Sequence, residues 1–170
     1  MKKTMNTTTA SAPLTSPIVP DALKLSPGET LLFAVKGRGN QVYEWVPKKN
    51  DPTKYEWDHI PEADLFDFEG NKVGSHYAGP TWESNDGSKV ICEIKAHAAA
   101  PAPNAAPWLL LPVKSHEGQG IFSAVTCIRR MDTVGGGEPS TSTDQVKAGQ
   151  VVRVPYTATY YCYGSKSQTR

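Results

Sequence analysis

Val151-Val152-Arg153-Val154-Pro155-Tyr156-Thr157-Ala158-Thr159-Tyr160-Tyr161-Cys162-Tyr163 decides the architecture. In an extended chain, successive side chains fall on opposite faces. One face here carries Val152, Val154, Tyr156, Ala158, Tyr160 and Cys162, and the other carries Arg153, Thr157, Thr159, Tyr161 and Tyr163. The pattern predicts a long strand with its apolar face toward a core, carrying Cys162 inward and leaving Tyr161 and Tyr163 exposed. Pro155 has no N–H to offer a ladder, so a sheet edge or a bulge is expected there.

Upstream the same short-period pattern recurs between turn signals. Ile121 to Met131 is a second long strand, with Arg129-Arg130 expected as a salt-bridged strand end. Leu31 to Lys36 and Gln41 to Val46 flank Gly37-Arg38-Gly39-Asn40 and predict a hairpin. Tyr55 to Ile60 is a strand ended by Pro61, after which Pro61 to Phe66 suits one helical turn, since proline is tolerated at a first-turn position. Lys72 to Tyr77, Thr81 to Glu83 and Ser88 to His97 are set apart by Gly79-Pro80 and Asn85-Asp86-Gly87, with Val90, Cys92, Ile94 and Ala96 sharing a face. Residues 98–107 form a proline-bearing loop, and Trp108 to Val113 is apolar enough for a strand buried on both faces. Gly135-Gly136-Gly137 and the Ser/Thr-rich segment after it predict a long mobile loop. No run keeps a helical period. The expected fold is all-β: a single-domain antiparallel β-sandwich or open barrel with long loops and little helix, of about eight to ten strands. It spans residues 21–164, between an N-terminal arm (1–20) and a short tail (165–170).

Composition agrees. The chain has 170 residues, of which 14 are Gly and 14 are Pro, as suits many short elements joined by turns. Lys and Arg number 18 against 17 for Asp and Glu, a net charge of +1. So balanced a chain has no field to gather nucleic acid or anionic lipid, and neither is expected as a partner. No apolar run is long enough to cross a bilayer as a helix. Met1-Lys2-Lys3 is followed by Asn6-Thr7-Thr8-Thr9-Ala10-Ser11-Ala12-Pro13, which lacks the apolar region of a secretory signal, so a cytoplasmic location is expected. Cys92, Cys127 and Cys162 are an odd set without metal-type spacing and are expected as inert buried thiols.

The densest chemistry lies in Gly74-Ser75-His76-Tyr77-Ala78-Gly79-Pro80-Thr81-Trp82-Glu83 and Asp86-Gly87-Ser88. This stretch resembles the signature of the domain-of-unknown-function family 3455. Gln41-Val42-Tyr43-Glu44, Pro61 to Phe66, Pro107-Trp108-Leu109-Leu110-Leu111, Thr133 with Gly135-Gly136, and Val154 to Tyr161 resemble it too. The resemblance covers about Asp21 to Tyr163. It implies a compact, mainly β domain and brings no catalytic role. Members are commonly exported, which implies a secreted or periplasmic location as the alternative. Many carry one cysteine where this chain has Trp45 and another near Thr143; if those two are bonded in relatives, both ends are missing here.

Turns on a rigid scaffold are where binding residues concentrate. His76, Tyr77, Trp82, Glu83, Asp86 and Trp108 are therefore the candidate ligand-binding set, for a small molecule, a glycan or a protein. No catalytic residue, metal ligand or cofactor is assigned. Two alternatives use the same chain differently. A metal-assisted hydrolase would draw on His76, Glu83 and Asp86, although His76 and Glu83 have opposite strand parity unless the Gly-Pro turn resets it. A structural or assembly protein would use an edge strand or the arm. Paired-carboxylate chemistry by Glu83 and Asp86 would need a cleft between them. Nucleotide-binding glycine loops are excluded, because Gly37-Arg38-Gly39 and Gly118-Gln119-Gly120 open no helix.

Overall fold

The computed structural model describes residues 17–140 and 146–165. Most of the N-terminal arm, residues 166–170 of the tail, Thr143 and part of the Ser/Thr-rich loop lie outside the described residues.

Nine strands follow a single 3-10 turn, Asp21–Leu23. They are β1 (Glu29–Pro47), β2 (Tyr55–Phe66), β3 (Lys72–Tyr77), β4 (Thr81–Ser84), β5 (Lys89–Cys92), β6 (Ala96–Ala98), β7 (Trp108–Glu117), β8 (Val125–Gly135) and β9 (Val151–Ser165). All pairings are antiparallel, in the order β5-β4-β3-β2-β1-β9-β8-β7-β6. One further pairing, β5 with β7, joins the two sides of the sheet. The all-β expectation holds, and its form is a closed eight-stranded barrel plus β6, neither a sandwich nor an open barrel. Closure gives each of the eight strands a partner on both sides, although β2 keeps a free edge from Tyr55 to Glu62, before its pairing with β3 begins.

The inward face of β9 is as its alternation requires: Tyr156, Ala158, Tyr160 and Cys162 lie in the main core with Val35, Leu65, Trp82, Val90, Cys92, Leu111 and Ile128. Pro155 sits one residue beyond the last β8–β9 pair, Gly135↔Tyr156, so its missing N–H interrupts nothing on that side. The outward face departs from expectation. Tyr161 and Tyr163 are buried, in a second cluster on the outside of the wall with Ala34, Leu110, Cys127 and Met131. Leu23 of the 3-10 turn is fully buried among them, with Val19 and Leu25 packed alongside, so the segment entering β1 covers what would otherwise be solvent-facing rings. Leu109 and Leu111 face the inner cluster and Leu110 the outer, so β7 is buried on both faces as expected.

Three local expectations are corrected. Gly37-Arg38-Gly39-Asn40 does not turn; β1 runs straight through it, pairing with β2 and β9 on its two sides. Its glycines serve close approach instead. A Cβ on Gly37 would lie 2.6 Å from the Tyr160 ring, and one on Gly39 would lie 2.1 Å from the Glu62 carbonyl oxygen. Pro61 neither ends β2 nor starts a helical turn: residues 55–66 are one strand, and Pro61 pairs with Gln41 of β1. β3 covers only Ala63 to Phe66 on the other side of β2, so Pro61 lies on a free edge where it costs no ladder bond. The single strand expected over Ser88 to His97 is broken. β5 ends at Cys92 and β6 begins at Ala96, so Ile94 lies between strands and is exposed, while Val90 and Cys92 stay fully buried.

Because β2 is paired by β3 only at its end, the β1–β2 hairpin and the start of β9 project past one mouth of the barrel. Tyr43, Trp45 and Trp57 form a small cluster there with Val152 and Val154. The opposite end is stopped by Phe122, which is buried in the main core.

Candidate functional site

Trp82 and His76 are directly opposite each other on β4 and β3. Cross-strand partners on one face approach closely, and their rings stack with centroids 4.1 Å apart and planes 19° from parallel. Tyr160 meets both edge-on, at 5.0 Å from His76 and 5.4 Å from Trp82. His76 Nδ1 lies 2.8 Å from the Thr81 carbonyl, which fixes that nitrogen as the protonated donor of a neutral ring. Burial pushes its pKa down from 6.5 to about 3; the Thr81 bond opposes the shift, and the nearby Arg130 charge adds to it.

These rings form one wall of a cavity of about 310 Å³ in the projecting mouth. Gln41, Leu109, Leu111 and Arg130 complete its interior, and the exposed His59 and Ile60, with Pro61, Pro80 and Ile94, its rim. Arg130 comes from the middle of β8, opposite Tyr160, and shares the inward face of Ile128. Its Nε donates to the Pro107 carbonyl at 3.0 Å. Among the described residues it has no carboxylate within ion-pair distance. The guanidinium charge holds down the pKa of both His59 and His76, after dehydration of each ring as the larger cause. Gln41 is 1% exposed, and neither end of its side-chain amide makes a hydrogen bond of good geometry, although it lies near enough to the Tyr156 hydroxyl to oppose the rise that burial gives that group's pKa. The Trp82 indole N–H is also buried without an acceptor. Tyr156 and Tyr160 share a hydroxyl–hydroxyl bond of 2.7 Å below them.

Of the six expected contact residues, His76 and Trp82 line this cavity. Tyr77 points the other way, into a shallow surface groove with Arg38, Glu62 and Asp64. Its hydroxyl donates to Glu83 at 2.5 Å, a bond that raises the Tyr77 pKa. Glu83 pairs with Ser75, one residue out of step with the His76–Trp82 pair, so the Gly-Pro turn leaves the opposite parity intact. Trp108 packs against the outer cluster. Asp86 is at the far end of the barrel, where it accepts from the Ser88 N–H at 2.9 Å, the Ser88 hydroxyl at 2.6 Å and the Ile121 N–H at 2.8 Å. Those bonds lower its pKa to about 2 and tie the β4–β5 turn to the segment that carries Phe122. Asp86→Ala is expected to cost about 1–2 kcal/mol through the orphaned donors around buried Ser88, read as a lower urea midpoint.

His76, Glu83 and Asp86 therefore do not converge. Among the described residues, no group of three or more His, Cys, Asp or Glu is placed to hold a metal ion. The three cysteines are free and buried, and burial raises the pKa of each thiol, that of Cys127 to about 12. Such thiols are poor nucleophiles.

The residues not foreseen as a site are Gln41 and Arg130. Arg129-Arg130 is not a salt-bridged strand end: both are buried within β8, and neither is ion-paired among the described residues. Arg129 faces the outer cluster, with its guanidinium 4.7 Å from the Tyr163 ring centroid. The signal available in the sequence was Arg130 in phase with Ile128, on the inward parity of an apolar strand.

Fold and cavity together define an antiparallel eight-stranded barrel with a polar-floored pocket in one mouth. Residues 26–164 match the model of the family described as protein of unknown function, DUF3455. The chain belongs to that family. Comparison with curated proteins and with solved structures returned no match. No helix among the described residues is long and apolar enough to cross a membrane.

Proposed function

We propose that this protein is a non-catalytic binding barrel that holds a small molecule in the mouth cavity lined by Gln41, His76, Trp82, Arg130 and Tyr160. The observation that carries the reading is the Gln41 amide, buried on the cavity wall with neither end in a hydrogen bond of good geometry. A buried polar group without a partner costs about 1–3 kcal/mol, and one that lines a cavity can be satisfied by a molecule bound there. The Trp82 N–H on the same cavity is in the same condition. A volume of about 310 Å³ is at the small end of ligand sites, which favours a compact molecule over a peptide or an oligosaccharide.

The arrangement supports binding over chemistry. Its histidine stays neutral and bonded to main chain, its thiols are inaccessible, and the two acidic side chains once considered with it face elsewhere. The test is a mixed library of neutral, cationic and anionic small molecules, followed by tryptophan emission and by thermal shift. At least one compound class is expected to change emission and raise Tm. A narrowed mouth, Ile94→Trp, is expected to weaken that response with the fold intact. A library without hits, or hits indifferent to Ile94→Trp, would refute the assignment.

A further inference from the structure

The floor and the rim of this cavity differ in chemistry, and the difference specifies a ligand. At the floor Arg130 is 4% exposed and lacks a counter-ion, while Gln41 and the Trp82 indole contribute donors without acceptors. At the rim Ile60 and Ile94 are 39% and 51% exposed, flanked by Pro61 and Pro80. We propose that the ligand is a small organic monocarboxylate, seated with its carboxylate on Arg130 and its apolar body against the isoleucine rim. The inference rests on the binding reading above and adds the chemical class.

A buried cation without a partner is unfavourable, and an anion that enters with it removes that cost. Arg130 is already oriented, because its Nε is held by the Pro107 carbonyl. The guanidinium also interacts with the Tyr160 hydroxyl, and its outward N–H groups suit the planar, two-oxygen edge of a carboxylate. Charge also sets the valence. Arg130 is the single full positive charge lining the cavity, since His59 and His76 are both shifted toward their neutral forms and no lysine is present. One guanidinium balances a monoanion; a phosphate dianion would remain under-neutralised in so closed a site. Asp58, the one carboxylate in the lining, is exposed, outside ion-pair range of Arg130. Its position favours a ligand whose charge is deep and whose outer part is uncharged.

Calorimetry with benzoate, phenylacetate, butyrate, benzamide and inorganic phosphate tests the class on the unmodified protein. The carboxylates are expected to bind at least tenfold more tightly than benzamide and than phosphate. Arg130→Met is expected to lose that preference, with Tm unchanged or raised by a few degrees, because it removes an uncompensated buried charge. If benzamide binds as tightly as benzoate, or phosphate matches the carboxylates, the carboxylate class is overturned while the binding barrel stands. If the neutral and cationic members of the library also fail, both readings fall. The benzoate-to-benzamide ratio is read on the wild-type chain, so the outcome does not depend on whether Arg130→Met folds.

Discussion

Replacing Trp82 with alanine is expected to cost about 3–5 kcal/mol of folding stability, the largest effect of any single truncation in the cavity wall. The side chain is 1% exposed, stacks on His76 and meets Tyr160 edge-on, so its removal strips contacts from two buried rings at once. The void would open into the mouth cavity and strip the stacking face from the His76 ring, leaving its Thr81 bond and its contact with Tyr160. Trp82→Phe separates ring packing from hydrogen bonding. The indole N–H has no acceptor, so phenylalanine forfeits no bond and is expected to cost about 1–2 kcal/mol, from lost volume alone. Equilibrium urea unfolding of both variants decides it. A phenylalanine variant as damaged as the alanine variant would mean the indole nitrogen is bonded after all.

Acid is expected to destabilise the protein well above the pH at which its carboxylates protonate. The His76 pKa is about 3 in the folded chain, against an ordinary 6.5, chiefly because the ring is dehydrated. Below pH 6.5 the unfolded chain takes up a proton that the folded chain refuses. Stability therefore falls as pH drops from about 6.5 toward 3, at up to about 1.4 kcal/mol per pH unit for this one site. Between pH 7 and 5 the loss is about 2 kcal/mol. His59, also held below its ordinary value, acts in the same direction. The lowered carboxylates, Asp86 among them, stabilise above their unfolded value of 3.8, and that contribution is lost only as pH falls from there toward their folded values. His76→Phe keeps a ring for the Trp82 stack and removes its titration, so the loss of stability between pH 7 and 5 should shrink by about 2 kcal/mol, leaving the part due to His59. An unchanged slope would assign the acid sensitivity to other groups.

Strand content and inward parity were legible because both are local. Tyr156, Ala158, Tyr160 and Cys162 share a face by alternation alone, and the structure keeps them inside. The same alternation gives Glu83 and His76 opposite parity, with only the Gly-Pro turn able to reset it, and the structure keeps them apart. Glycine and proline each have two structural uses, and the rarer one holds at several positions here. Glycine marks turns but also permits close backbone approach, which is its use at Gly37 and Gly39. Proline ends strands but is harmless on a free edge, which is where Pro61 lies. Tyr161 and Tyr163 were placed by parity on the outer face, correctly, but burial on that face depends on Leu23, more than a hundred residues away in sequence.

The amino-acid order by itself determined a β protein of one family, the faces of its longest strands, and the inertness of its three thiols. Tertiary structure alone decided that β5 meets β7 to close the wall, and that closure brings β1, β3, β4, β8 and β9 around one cavity. The reason is that side-chain alternation follows from the geometry of two consecutive residues, whereas closure and dehydration depend on which distant strands pair. An arginine in an apolar strand carries no mark of being unpaired until the barrel shuts around it.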